Sequence, residues 1–436
     1  MKNLLSFLLA LLFLCSPLFA KEYYVSANRG KGKKASKKKP AKDLGNIIKK
    51  LKAGDTINIA GGIYYGKGRN GYDHIQVPVK IIGGWNDSFT KRDPWGEHKT
   101  VLSGDNKSRN FKSMHRLHID ISKYRKREVS DIVVDGIIVD NAARNQYKSD
   151  KQLEIIRVHN PRTKQYATPE SGGIFIRSGK TGNFRTPINI RVENCIVMNT
   201  APNRGALSVF AYKNGKAVIR NNLVINNTGT GIFAGASFHS RNEEGWPQFT
   251  IENNSVLFTW KHDPLAGSYS GVALEFDARI RCTITNNVFA FSDRFSISNT
   301  KRTPILLQNN LFGISIEGDY LEFDTRIALE DIEDEAEYLH EDSEENYKEN
   351  FKVHVNSEWA KVYGGRALVD RNAVEADVSV QKTSENNVRS ILGLPVQGTN
   401  IGEIATSGWL NRMMLEDAIQ TGSNKFKDVH GCSIPK

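Results

Sequence analysis

Cysteine is scarce: four in 436 residues, at positions 15, 195, 282 and 432. Cys15 sits in the apolar leader described below. Cys195, Cys282 and Cys432 remain, and an odd number excludes a fully paired disulfide framework. After residue 20 no run is long and apolar enough to cross a bilayer. The lysines lack an accompanying aromatic-basic reading motif, which argues against nucleic acid as a partner. Proline is also sparse, 13 residues, against 36 glycines. The remaining composition, 39% hydrophobic and 25% charged, is that of a chain able to bury a sizeable core.

The first twenty residues, MKNLLSFLLALLFLCSPLFA, join Lys2 to an apolar run, a breaker at Pro17 and a small residue at Ala20. This is the pattern of a secretory signal peptide over 1–20, and the run is short for a membrane span. The rest is expected to be exported, to the periplasm, the outside or the cell surface. Net charge is +12 but uneven. KGKKASKKKPAK (Lys31 to Lys42) is basic, and EDIEDEAEYLHEDSEE, within Glu317 to Glu349, is acidic. Each run reads either as a solvated surface or, at the basic end, as an attractor of anionic polymer.

A motif repeats. VDGIIVDN (Val134), VENCIVMN (Val192), IRNNLVIN (Ile219), IENNSVLF (Ile251), ITNNVFAF (Ile284) and LQNNLFGI (Leu307) align, the last five starting roughly 23 to 33 residues apart. That period with strand propensity predicts one turn of a right-handed parallel β-helix. Asparagine is a poor strand residue, yet it tolerates the left-handed corner and bonds its own backbone. Stacked coils then align identical amides in a ladder. This register puts Cys195 and Cys282 about three coils apart, beyond disulfide reach. Both therefore read as buried thiols, neither a bridge nor a metal site.

A second repeat, GGIFIRSG (Gly172), GALSVFAY (Gly205), TGIFAGAS (Thr230) and SGVALEFDA (Ser270), supplies another sheet. Alternation sends Ile174, Leu207, Ile232 and Val272 inward. Phe175, Ser208, Phe233 and Ala273 face out, as do Arg177, Phe210, Gly235 and Glu275. An open solenoid needs capped ends. Leu44, Ile47, Ile48 and Leu51 follow helical spacing and predict an amphipathic helix over the first coil. The expected division is 21–66 for the first strand, basic loop and capping helix, and 67–325 for the β-helix. An acidic helical insertion follows over 326–349. Irregular coils and a cap, or a separate small domain, make up 350–436.

Two stretches carry a resemblance. YYVSANRGKG…AKDLGNIIKKLKAGDTINIAGGIYYG resembles the start of exported pectate-lyase-like proteins, and IIGGWNDSFTKRDPW with TVLSGD is similar to an early coil of bacterial surface β-helix proteins. The resemblance covers roughly residues 22 to 315. It implies an all-β, single-stranded right-handed parallel β-helix (pectin-lyase-like) and no particular chemistry, since the fold hosts many activities. The Arg-x-Pro-x-x-Arg pattern of one pectate lyase family and the paired aspartates of polygalacturonases are absent. HDPLAG (His262 to Gly267) has the wrong order for the Asp-Pro-His-Asp element of mannuronan epimerases.

Chemistry is expected where long loops flank one sheet: SFHSRNEEGWPQ (Ser237 to Gln248) and TWKHDPLAGSYS (Thr259 to Ser270). Phe233, Trp246, Trp260 and Tyr269 offer aromatic faces for sugar, and His239, Arg241, Lys261 and His262 offer donors; the same aromatics would also serve to pack the loops down. Glu275 and Asp277, two apart on a strand, share a face and suit Ca²⁺, or else pair with Arg177 or Arg279. For β-elimination from a uronic-acid polymer, Lys261 or His262 is the expected base and Arg177 or Arg279 the neutraliser of the carboxylate. The leading expectation is binding, with possible lytic cleavage, of an anionic polysaccharide on the outer sheet. The alternatives are a non-catalytic, adhesin-like surface β-helix and head-to-tail assembly of basic on acidic ends.

Overall fold

Each repeat alternates β-branched or apolar residues with polar ones, so a strand made from it buries one face and exposes the other. The computed structural model shows where the buried faces meet. It describes residues 20–32, 34–66, 71–104, 115–124, 130–141, 158–159, 166–167, 172–179, 187–200, 202, 204–238, 240–260, 271–292, 294–313, 315, 317–338, 351–352, 389, 392–395, 431–432 and 435. The leader, residues 1–19, lies outside that set.

The strands form three nine-stranded sheets, and the chain visits sheet 1, sheet 2 and sheet 3 in turn. Nearly all pairings are parallel, so the chain winds as a three-sided coil, consistent with a β-helix. Coils 1 to 8 span 56–75, 80–120, 132–177, 190–211, 216–236, 248–276, 281–299 and 305–322. Among the described residues two strand pairings are antiparallel, Val158–His159 with Tyr166–Ala167 and Gly318–Glu322 with Thr325–Ile327, as is the isolated bridge Trp85 to Arg92.

Sheet 1 shows how the core is built. Ile57, Ile81, Val134, Val192, Ile219, Ile251, Ile284 and Leu307 stand in one column through all eight coils. All are buried, at about 1.5–3 kcal/mol each. Sheets 2 and 3 supply the other two walls of the same cluster.

The paired asparagines occupy the corner between sheets 1 and 2. The first of each pair, Asn221, Asn253, Asn286 and Asn309, and Asn194 before Cys195, is left-handed, with φ between 51 and 57°; Asn221 Nδ2 donates to Asn194 Oδ1 at 2.7 Å and Asn309 Nδ2 to Asn286 Oδ1. The second is buried and forms a ladder of its own. Asn254 Oδ1 accepts from both the backbone N–H (3.0 Å) and Nδ2 (2.9 Å) of Asn222. Asn254 donates in the same way to Asn287 Oδ1, and Asn287 to Asn310 Oδ1. Cys195 ends the row, its N–H donating to Asn222 Oδ1 at 2.9 Å. At the next corner Asn199 and Asn226 (φ 56 and 55°) give way to Phe258 and Phe291 (φ 54 and 61°). Phe258 and Phe291 stack at 4.5 Å and 8°, contact that offsets the steric cost of a bulky left-handed residue. All three remaining cysteines are free and buried; burial pushes the Cys195 thiol up to about 12.

The N-terminal cap differs from the expected helix. It consists of two 3₁₀ turns, Leu44–Asn46 and Ile48–Lys50. Gly45 disfavours a continuous helix by about 1 kcal/mol, and the Asp43 carboxylate accepts the Gly45 N–H at 2.7 Å, fixing the chain as a turn. Leu44, Ile47 and Leu51 still reach the core. Of the acidic stretch 326–349, the described residues form a 3₁₀ turn, Leu329–Asp331, and one α-turn, Ile332–Glu335; residues 339–349 lie outside the described residues. No helix among the described residues is long and apolar enough to cross a membrane.

Candidate binding face on sheet 3

Sheet 3 sends Ile119, Ile176, Val209, Ala234 and Leu274 into the core, so the alternate side chains face outward. One outward column runs His74, His118, Phe175, Ser208, Phe233, Glu275, Ser298. Beside it stand Asp120, Arg177, Phe210 and Gly235. Phe175, Ser208 and Phe233 face outward as expected, but coil 6 is offset by two residues: Ile232 pairs with Leu274, not Val272, and Phe233 with Glu275, while Ala273, expected outward, joins the core and Val272, expected inward, does not. Gly271 seats against the Gly229 carbonyl at 2.5 Å, which sets this register and brings Glu275 beside the aromatics, still outward.

These side chains build a stack separate from the core. Phe175, Phe210 and Phe233 form their own buried cluster, with centroids 5.3 and 5.4 Å apart. His118 continues it, stacked on Phe175 at 4.5 Å and 8°, and His74 meets His118 edge-on at 4.9 Å. Burial pushes His118 down to about 3, the neighbouring His115 and His74 adding to it, and takes His115 to about 4. At neutral pH these imidazoles are uncharged.

Two guanidiniums lie on the rings. Arg177 sits 5.3 Å over Phe175 and 5.2 Å over Phe210; Arg204 sits 5.2 Å over Phe210 and 5.4 Å over Phe233. Each bridges neighbouring coils, so the pair is spaced by about one coil, ~4.8 Å. Asp120 lies 3.8 Å from Arg177, a half-exposed contact. One coil below Phe233, Glu275 is 6% exposed and accepts from Thr230 Oγ1 at 2.9 Å. Burial pushes it up to about 7, against the hydrogen bond from Thr230 and the charges of Arg204 and Lys301. The face thus holds two fixed cations and a carboxyl able to exchange a proton near neutrality.

The other expected residues are spread more widely. Arg279 is exposed in the left-handed turn after the coil 6 strand (φ 64°), three coils from Arg177. Asp277 follows Glu275 and accepts the Ala278 N–H at 2.9 Å. Among the described residues no group of three or more His, Cys, Asp and Glu is arranged to hold a metal ion; Glu243 instead lies 3.7 Å from Arg281. Trp246 is half-buried, its Nε1 donating to the Ser240 carbonyl at 3.2 Å, so it braces its own loop; Arg241 beside it is exposed. Trp260 ends the strand Ser255–Trp260, and its side chain lies outside the described residues, as do His239, Lys261, His262 and Tyr269.

His74, His118 and Arg204 are not singled out by sequence reasoning. The signal for the histidines was present: RLHID (Arg116 to Asp120) aligns with GIFIRS, placing His118 over Phe175. Arg204 sits in a corner loop with no repeat to align.

No protein-family profile, curated protein or solved structure matches the chain.

Proposed function

We propose that the protein is an exported right-handed β-helix of the pectin-lyase-like kind that binds an anionic polysaccharide along the outer face of sheet 3. The observation that carries this reading is the pair Arg177 and Arg204, held over the Phe175–Phe210–Phe233 stack one coil apart. Guanidiniums fixed against rings lose little freedom on binding, and they match carboxylates with two parallel hydrogen bonds. Their spacing is about the rise of one pyranose unit, so successive uronate carboxylates fit successive arginines, with the polymer along the helix axis. The phenylalanines are buried, so they support the cations; the sugar rings meet the guanidiniums and the half-buried histidines.

A lytic reading is favoured by Glu275. β-Elimination needs the uronate neutralised, the proton beside it removed and the leaving oxygen protonated. Arg204 or Arg177 supplies the first, Glu275 is poised for the proton transfer to the leaving oxygen, and Lys261 or His262 remains the proposed base. Glu275 and Asp277 are the calcium candidates. Incubating the protein with a panel of uronic-acid polysaccharides, with and without Ca²⁺, tests both readings. Retention of an acidic polymer supports binding, and the absorbance of unsaturated products supports cleavage. Binding without product on any polymer leaves the adhesin-like reading; no retention of any acidic polymer contradicts the proposal.

A further inference from the structure

The basic run near the N-terminus folds as part of the scaffold. Glu22–Val25 is the first strand of sheet 1, and an outermost strand offers unpaired backbone groups along one edge. The loop that follows takes up this edge. Tyr24 donates its N–H to the Ala35 carbonyl and accepts from the Ala41 N–H, both at 2.8 Å, and Ser26 donates to the Ala41 carbonyl at 2.9 Å. Lys31 and Gly32 donate to the Pro40 carbonyl, and Ser36 and Lys39 exchange both backbone bonds in a tight turn. Ala35 and Ala41 are fully buried in the core cluster. A Cβ at Gly30 would come within 2.4 Å of the Lys42 Cα, so the two ends of the loop touch. A chain tied in this way displays its side chains from fixed places.

Those side chains are lysines. Lys31, Lys34, Lys37, Lys38, Lys39 and Lys42 are all exposed, and Lys49 and Lys52 add to them at the second 3₁₀ turn. None of these eight meets a carboxylate among the described residues. The carboxylates nearby are used otherwise. Asp55, buried, accepts the backbone N–H groups of Lys21 and Lys52 at 2.8 Å each. Asp43 accepts from Gly45, Glu22 from the Tyr24 hydroxyl, and Asp87 from Ser26 and Asn28. Lysines blunt an open strand edge, but here backbone bonds already occupy it. Ammoniums gathered with no carboxylate beside them repel one another, so this cluster calls for an anion outside the chain. Arginine grips one anion at a time through a planar fork, whereas lysine acts as a point charge. Sheet 3 presents arginine; the loop from 31 to 42 carries lysine alone. Among the described residues the exposed large hydrophobics are Tyr65, Phe238 and Phe323, all outside 20–55. The cap therefore has neither a ring for a sugar to stack on nor an apolar wedge to enter a bilayer. It offers charge alone, which suits a plane of phosphates that several ammoniums meet at once.

We propose that the N-terminal cap is a peripheral docking surface for a membrane of anionic phospholipids, its lysines resting on the headgroup phosphates. The inference does not depend on the polysaccharide reading of sheet 3. Sedimentation of the full chain with vesicles tests it. One set is phosphatidylcholine alone, the other equal parts of phosphatidylcholine and phosphatidylglycerol. At low salt the anionic set is expected to hold the chain more tightly than the neutral set, and the difference is expected to vanish at high salt. Lys37→Gln, Lys38→Gln and Lys39→Gln together alter only exposed side chains of one turn. At about fivefold per lysine, they should weaken binding to the anionic set about a hundredfold and leave binding to the neutral set and the melting temperature unchanged. Arginine at the same three positions should retain the preference for the anionic set. Equal binding to the two sets, or equal binding by the parent chain and the glutamine variant, would overturn the proposal. So would capture of dissolved polyphosphate through these lysines with no preference for anionic vesicles, which would assign the cap to a soluble polymer.

Discussion

At the residue scale, the two asparagines of each pair are predicted to fail differently. The second holds its neighbours: Asn254 receives two bonds from Asn222 and gives two to Asn287 and one to Ile219. Asn254→Ala strands a buried N–H of Asn222, at about 1–3 kcal/mol per orphaned group, and is expected to lower stability by about 3 kcal/mol in urea unfolding. The first adds a backbone demand, a left-handed φ of 54° at Asn253. Asn253→Ala is expected to cost about 1 kcal/mol more than Asn253→Gly. Equal losses in the two 253 variants would deny that demand. Glu275 sets a pH dependence. Its native pKa is raised by burial to about 7 from 4.5, so between those values the native state binds more protons than the unfolded one. Stability therefore falls as pH rises through that window, by up to about 3 kcal/mol. Glu275→Gln should flatten that slope, as read from unfolding midpoints across pH 4 to 8.

At the element scale, the coil was legible because its instructions are local and repeated. Asn-Asn before an apolar triplet marks one corner, and alternation fixes which residues of a strand face in. What escaped was set by contacts with no local mark. Phe258 and Phe291 take the corner that Asn199 and Asn226 hold above them, and there they stack on each other. The two-residue offset of coil 6 follows from Gly271 seating against the Gly229 carbonyl, where the repeat aligns it with Gly231. The cap was legible as an apolar spacing, but Gly45 and the Asp43 carboxylate decided between helix and 3₁₀ turns. Stacked coils lean on nearest neighbours, so protection should fall from the middle outward. Hydrogen exchange is expected to be slowest in coils 4 to 6 and faster in coils 1 and 8. Uniform protection along the stack would contradict that arrangement.

At the scale of the whole molecule, three faces have three fates. Sheet 1 ends against the basic N-terminal cap, sheet 2 takes the strand Phe351–Lys352 beside Leu311–Phe312 and the Arg389 guanidinium on Asp140, and sheet 3 presents guanidiniums on a stacked aromatic support. Sequence reasoning placed Arg177, Phe233 and Glu275 on the outward face of one sheet, where the structure has them. It missed Arg204 because a loop residue's position over a ring follows from tertiary packing alone. The cations lie along the coil axis, so a long anionic chain should engage both while a monomer engages one. The most direct measurement is the affinity of wild type and of the Arg177→Ala/Arg204→Ala variant for a long uronic-acid polymer, titrated at several salt concentrations. Wild type is expected to bind in a salt-sensitive manner that the double variant weakens at least tenfold, about 1.4 kcal/mol, with its melting temperature held within a few degrees. Equal affinity in the two proteins would contradict it.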